Sequence, residues 1–229
     1  MWREECIMVI KALIPVRSGS ERVKNKNLRS FAGTSLLELK IRQLLEVESL
    51  DGIIVNSNSD SMLDIASRYG VEVIKREDKF ANSETLANEL YENLADNSSA
   101  DVLVIAHATS PLIRTVTIQE CIKKYLQNRE NFDSLVTVSL MKHFLWCDGR
   151  ALNYDPEYKP RSQDLPNILS LNHAIHILPR TIMKKKKDII GYRPNFFIID
   201  EMESTDIDTE MDFEIAEFLF NKYYAGGGG

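Results

Sequence analysis

IMVIKALIPVRSGSERVKNKN, residues Ile7 to Asn27, passes from an apolar run straight into a loop with one glycine and a cluster of cations. The apolar half has the length and branched character of a buried strand. The polar half gathers Arg17, Arg22, Lys24 and Lys26 in a chain whose formal net charge is -6. Positive charge this local, in a protein of pI about 5.4, favours a small anionic ligand over a nucleic acid or an anionic membrane.

Strand-length apolar runs alternate with helix-period segments downstream of that opening. Residues 34–50 begin with a good N-cap and place Leu37, Ile41, Leu44 and Leu45 on one helical face. GIIVNSN (52–58) and VEVIK (71–75) read as strands around a helix capped by Ser59 and stopped by Gly70. Residues 82–96 read as helix and DVLVIAHA (101–108) as a long buried strand. The alternation predicts an α/β, Rossmann-like three-layer sandwich with a mostly parallel central sheet covered on both faces. Ligands of such sheets bind beyond the carboxyl ends of the strands, which is where the cationic loop lies.

The pattern breaks after DSLVTVSL (133–140). Residues 141–171 are irregular, with Pro156, Pro160, Pro166 and a hairpin-like CDGRALNY, and predict a lid or dimerisation arm inserted into a single 229-residue domain. Strand character returns at 172–179 and 195–200, and residues 208–224 read as a closing helix with Thr209 and Asp212 approximating a capping box. The lysines at 184–187 read as a solvated helix face, and the terminal AGGGG is set apart from the fold. Cys6, Cys121 and Cys147 are odd in number and widely spaced, which predicts reduced thiols in a cytoplasmic protein. The first residues lack a signal peptide's basic start, Met8 is a candidate native start, and no run reaches the ~18 apolar residues of a membrane span.

A strand, a glycine-containing loop and a helix suit phosphate, because free backbone amides and positive charge converge there. Neither GxxxxGK[ST] nor GxGxxG is present. The loop offers charge instead, with Ser20 and Asn27 as neutral hydrogen-bonding groups.

RSGSERVKNKN (17–27) resembles the RxGSxxxxxKN loop of the CMP-sugar synthetases, the cytidylyltransferases that activate sialic and related nonulosonic acids. HATSPLI (107–113) and DIDTEMDFEIAE (206–217) are similar to two further motifs of that family, in the same order, so the likeness runs from about Val9 to Leu219. The resemblance implies that Arg17, Ser20, Lys26 and Asn27 hold CTP, with Arg22 supplying charge where Glu21 replaces a lysine. It places Arg76 and Asn88 near the nucleoside, and His107, Arg161 and Asn172 by the sugar. Asp206 and Asp208 would bind Mg2+, with Arg17, Lys26 and Asp206 carrying catalysis, and the enzyme would be a homodimer acting on CTP and an acidic sugar. Ser170 and NHAIH (172–176) depart from the sialate pattern, so an octulosonate-type or other acceptor stays open.

Two aspartates one residue apart suit a hard cation that keeps several waters, although such pairs also serve as turn and cap residues. Arg17 and Lys26 alone would be surface charges about as readily as ligands, and His107 a structural histidine. His143, His173 and His176 fit no usual zinc spacing, and Ser20 has no histidine partner to make it a nucleophile. A glycosyltransferase using Asp206-Ile207-Asp208 as its metal site is the nearest rival enzyme, and a catalytically inactive nucleotide-binding module is the rival of another class.

Overall fold

The computed structural model describes residues 8–224. Cys6, the Ile7 end of the opening run and the terminal glycines lie outside them. Seven strands form one sheet: Ile10–Pro15 (β1), Gly52–Ser57 (β2), Glu72–Lys75 (β3), Val102–Ala106 (β4), Ser134–Met141 (β5), Ile168–Pro179 (β6) and Pro194–Ile198 (β7). Their spatial order is β7-β5-β6-β4-β1-β2-β3. Every pairing is parallel except those of β6, which runs antiparallel to both β4 and β5.

Six helices cover the sheet: Leu36–Leu45 (α1), Asp60–Arg68 (α2), Ala87–Asp96 (α3), Thr115–Asn128 (α4), Arg180–Lys186 (α5) and Glu210–Tyr223 (α6). The period-2 geometry of the strands explains why the inner ones are apolar throughout. Ala12, Ile14, Val55 and Val104 face one core with Leu37, Ile41, Met62, Ile118 and Phe213, so α1, α2, α4 and α6 share that side. Leu13, Ile54, Leu103 and Ile105 point the other way and meet Leu94, Ala95 and Met183 of α3 and α5. Each fully buried Leu or Ile contributes about 1.5–3 kcal/mol. The result is the expected three-layer sandwich. Among the described residues no helix is long and apolar enough to cross a membrane.

Local capping follows the side chains. Ser35 Oγ accepts from the Glu38 amide at 3.2 Å to start α1, Ser59 caps α2, and Thr209 and Asp212 form a reciprocal box at α6. Three local expectations need correction, and one helix was not foreseen. Leu45 is 53% exposed, because it ends α1 beyond the stripe formed by Leu37, Ile41 and Leu44. The helix expected from residue 82 begins at Ala87, since Asn82 Oδ1 accepts from the Glu84 and Thr85 amides in a side-chain-closed turn. Helix α4 escaped the sequence reading, although Ile118, Cys121, Ile122 and Tyr125 are spaced as one buried face. Strand β6 also starts at Ile168, inside the stretch expected to be irregular.

Within 141–171 the expected hairpin is present, pairing Trp146–Cys147 with Arg150–Ala151 through Asp148 and Gly149, both in the left-handed region. Phe144 and Trp146 pack there on Tyr154, the indole Nε1 donating to the phenol oxygen at 2.6 Å. Two of the lysines of 184–187 are ion-paired to α3, Lys184 with Asp96 at 2.5 Å and Lys187 with Glu92 at 2.7 Å.

Candidate active site

The cationic loop leaves the carboxyl end of β1 and folds over a cleft that the end of β4 also borders. Gly19 adopts φ +78° where the loop turns back. Val23, 1% exposed, drops into the core and pins the loop's midpoint. With that residue as plug, the polar residues on either side are left around the opening. Arg17, Ser20, Arg22, Lys26 and Asn27 all line it.

Arg17 Nη1 donates to the Ala81 carbonyl at 3.0 Å. Asn27 is buried; its amide nitrogen donates to the Arg17 carbonyl at 3.4 Å, while its Oδ1 has no partner among the described residues. Arg76, just past β3, lines the cleft although it is 3% exposed. Among the described residues its guanidinium donates only to Asn56, to Oδ1 at 2.6 Å and to the carbonyl at 2.8 Å. Burial, with Arg17 nearby, lowers its pKa to about 10, so it stays charged at neutral pH. No salt bridge neutralises Arg17 or Arg76 among the described residues. Two such guanidiniums sharing one cleft repel each other until an anion lies between them.

The opposite wall comes from distant chain. Thr109, after β4, accepts the Ile207 amide on its carbonyl at 2.9 Å, and the Ile207 carbonyl accepts from Lys26 Nζ at 2.5 Å. These bonds set Asp206 and Asp208 beside the loop. Asp206 is half-buried, and its Oδ1 has no partner among the described residues. Burial raises its pKa, the neighbouring Asp208 adding to the shift while a Thr109 hydrogen bond and Lys26 oppose it. Burial lowers the pKa of Lys26, against the pull of Asp206 and Asp208. Asp208 is exposed and pairs with Arg22 at 3.2 Å, a contact worth at most about 1 kcal/mol in solvent.

His107 lines the cleft and is half-buried, its Nδ1 2.7 Å from the His173 carbonyl. A carbonyl only accepts, so Nδ1 carries the proton and Nε2 is left as an acceptor. Burial lowers the His107 pKa to about 4, making the ring neutral. His173 and His176 lie 6.2 and 6.0 Å from its centroid. Among the described residues no group of His, Cys, Asp and Glu is arranged to hold a metal by three or more ligands.

Three residues expected at the site are placed elsewhere. Asn88 is exposed on α3 and donates to the Lys187 carbonyl at 2.7 Å. Arg161 is exposed and bonded to Asp164 at 2.8 Å. Asn172 accepts from Thr137 Oγ1 at 2.8 Å and donates to Ser139 Oγ at 3.0 Å, stapling the register shift of β6 against β5. The sequence reading missed Thr109, whose place inside HATSPLI was the available signal. It also missed Leu90, Tyr91 and Leu94 of α3, which supply an apolar wall. Their helical spacing announced a buried face but not what that face meets.

The geometry has parallels in known proteins. Post-translational flagellin modification protein B of Campylobacter coli is 26% identical over 93% of this chain and 95% of its own length. Pseudaminic acid cytidylyltransferase of Campylobacter jejuni is 25% identical over 91% and 94%. N-acylneuraminate cytidylyltransferase of Oncorhynchus mykiss is 25% identical over 91% of this chain, which spans only 49% of that protein. A solved CMP:2-keto-3-deoxy-manno-octonic acid synthetase complexed with CTP superposes with a TM-score of 0.67 at 13% identity, over 93% of this chain and 99% of that one, a likeness of fold. The sequence profile described as cytidylyltransferase matches residues 11–221, and the chain therefore belongs to the cytidylyltransferase family.

Proposed function

We propose that this cytidylyltransferase joins CTP to an acidic sugar of the nonulosonic class, giving a CMP-sugar and pyrophosphate. One observation carries the reading: cations from the β1 loop, with Arg76 just past β3, meet Asp208 from the far end of the chain across a single cleft, and Asp206 lies close enough to Lys26 to act on its charge. The pseudaminic acid cytidylyltransferase relative, matched over 94% of its length, supports the acceptor class.

In the proposed reaction an acceptor hydroxyl oxygen bonds to the α-phosphorus. The bond from that phosphorus to the bridging oxygen breaks, pyrophosphate departs with the electron pair, and the hydroxyl proton passes to Asp206. Arg17 and Lys26 stabilise charge on the α-phosphate and the leaving group, Arg76 and Asn27 orient the nucleotide, and Ser20 and Arg22 close over the phosphates. His107 Nε2 accepts a hydrogen bond from the sugar.

Asp206 and Asp208 fit Mg2+ by their chemistry, since the buried Asp206 Oδ1 is an unpartnered hard oxygen and Asp208 adds a second. When bound, the cation would supply charge neutralisation for the phosphates. Asn88 is too engaged with Lys187 for a nucleoside contact without rearrangement. Arg161 and Asn172 sit on or beside the 141–171 arm, which presents exposed Trp146, Leu152 and Tyr158 to a second copy in a cytoplasmic homodimer.

A panel of acid sugars with CTP and Mg2+, followed by pyrophosphate release, tests the function. Turnover with at least one nonulosonic acid is expected. Turnover with an octulosonic acid alone moves the acceptor class; UDP release from a nucleotide sugar, or no turnover at all, overturns the reading. Sedimentation as a monomer would refute the dimer.

A further inference from the structure

Most cations of this chain are solvated or paired, but Lys40 is neither. It lies on the inner face of α1 with no exposure to solvent, and its hydrogen bond runs from Nζ to the Ser110 carbonyl at 2.9 Å. No carboxylate pairs with it among the described residues, and burial pushes its pKa down to about 7. An apolar side chain of the same shape would pack there without the cost of desolvating an ammonium group. Fold stability alone therefore gives no reason for a lysine at this position.

What Lys40 touches gives one. One turn along α1, Gln43 Nε2 donates to the carbonyls of Pro111 and Ile113 at 2.8 and 3.1 Å. Two α1 side chains thus hold the loop that follows β4. The Ser110 amide donates back to the His107 carbonyl at 3.3 Å, closing a turn around Thr109. Thr109 in turn holds the Ile207 amide on its carbonyl at 2.9 Å, between the two aspartates. From Lys40 to the aspartate segment the path is Ser110, Thr109, Ile207.

We propose that Lys40 is a positioning residue for the carboxylate wall of the cleft, fixing Asp206 and Asp208 through the Ser110–Thr109 turn while touching no substrate itself. The kinetic half of this inference rests on the cytidylyl-transfer reading; the structural half does not.

Lys40→Met separates a positioning role from a packing role, because the two predict opposite combinations. It keeps the shape, removes the buried donor and relieves the desolvation of the ammonium group. The expected result is a melting temperature unchanged or raised, with faster amide hydrogen exchange in residues 107–113 and 205–208. kcat should fall at least tenfold, while KM for CTP stays within twofold. Lys40→Gln, which keeps a donor at slightly shorter reach, is expected to recover part of the exchange protection and of kcat. Unchanged exchange in both segments overturns the proposal, as does a loss of activity that merely follows a lowered melting temperature. If the Met variant does not fold, the packing role is the correct one and the proposal falls. If wild-type enzyme turns over no acid sugar, the function reading fails, and hydrogen exchange alone decides the role of Lys40.

Discussion

The two walls of the cleft are built in opposite ways. On the cationic side one uninterrupted stretch, running off β1, delivers Arg17, Ser20, Arg22, Lys26 and Asn27, with Arg76 the main addition from outside it. On the other side Thr109 and Asp206–Asp208 come from chain about a hundred residues apart and meet through the bond from the Ile207 amide to the Thr109 carbonyl. A wall made of one loop is secured by its own plug, Val23. A wall made of two segments needs outside support, and Lys40 and Gln43 provide it from beneath.

The largest effects should fall where the two walls touch. Lys26→Ala and Asp208→Ala are each expected to lower turnover by about 10²–10³ or more while leaving the far-ultraviolet circular dichroism unchanged; near-normal rates in either would break the pairing of the walls. Next comes Arg76→Met on the cationic side alone. It should raise KM for CTP by roughly 10–100-fold, in line with loss of one or two charge-assisted bonds, without lowering the melting temperature, since it removes a buried charge that lacks a carboxylate partner. Nucleotide binding by calorimetry reads this directly.

A pH experiment sharpens the contrast from the supporting layer. Lys40 titrates at about 7 in the fold and at its ordinary 10.5 when unfolded. Between those values the unfolded chain binds more protons, so stability rises with pH across that window and the penalty is full below it. Denaturant unfolding of wild type from pH 7 to pH 10 should gain a few kcal/mol relative to Lys40→Met. Parallel curves for the two proteins would show that Lys40 is not buried as a titrating cation. The smallest effect is expected for Asn88→Ala, which removes one exposed hydrogen bond to Lys187 and should cost about 0.5–1.5 kcal/mol of stability with KM for CTP unchanged. A tenfold rise in that KM would return Asn88 to the nucleotide side.

The same contrast explains what could be read from the chain alone. The cationic wall was legible because its charges are contiguous and follow a strand, so charge clustering and position in the alternation coincide. Asp206 and Asp208 were legible only through their motif, because two acids before a helix are ordinary capping chemistry. Lys40 and Gln43 were invisible: on paper they are polar residues of an amphipathic helix, and only the sheet beneath α1 and the loop above it make them buried. The structural bonds of Asn172 were unforeseen for a related reason. Its amide is consumed by the irregularity between Leu171 and His176, and no local pattern announces a register shift whose partner lies on another strand.

That irregular strand has a mechanical consequence. Ser139–Met141 and Ile168–Ser170 stay paired in register after the rest of the sheet has ended, so the 141–171 excursion is mounted on a stiff two-stranded stalk rather than on a pair of hinges. Swinging it would mean breaking ladder bonds next to Asn172. The excursion is therefore a fixed fence that travels with the sheet.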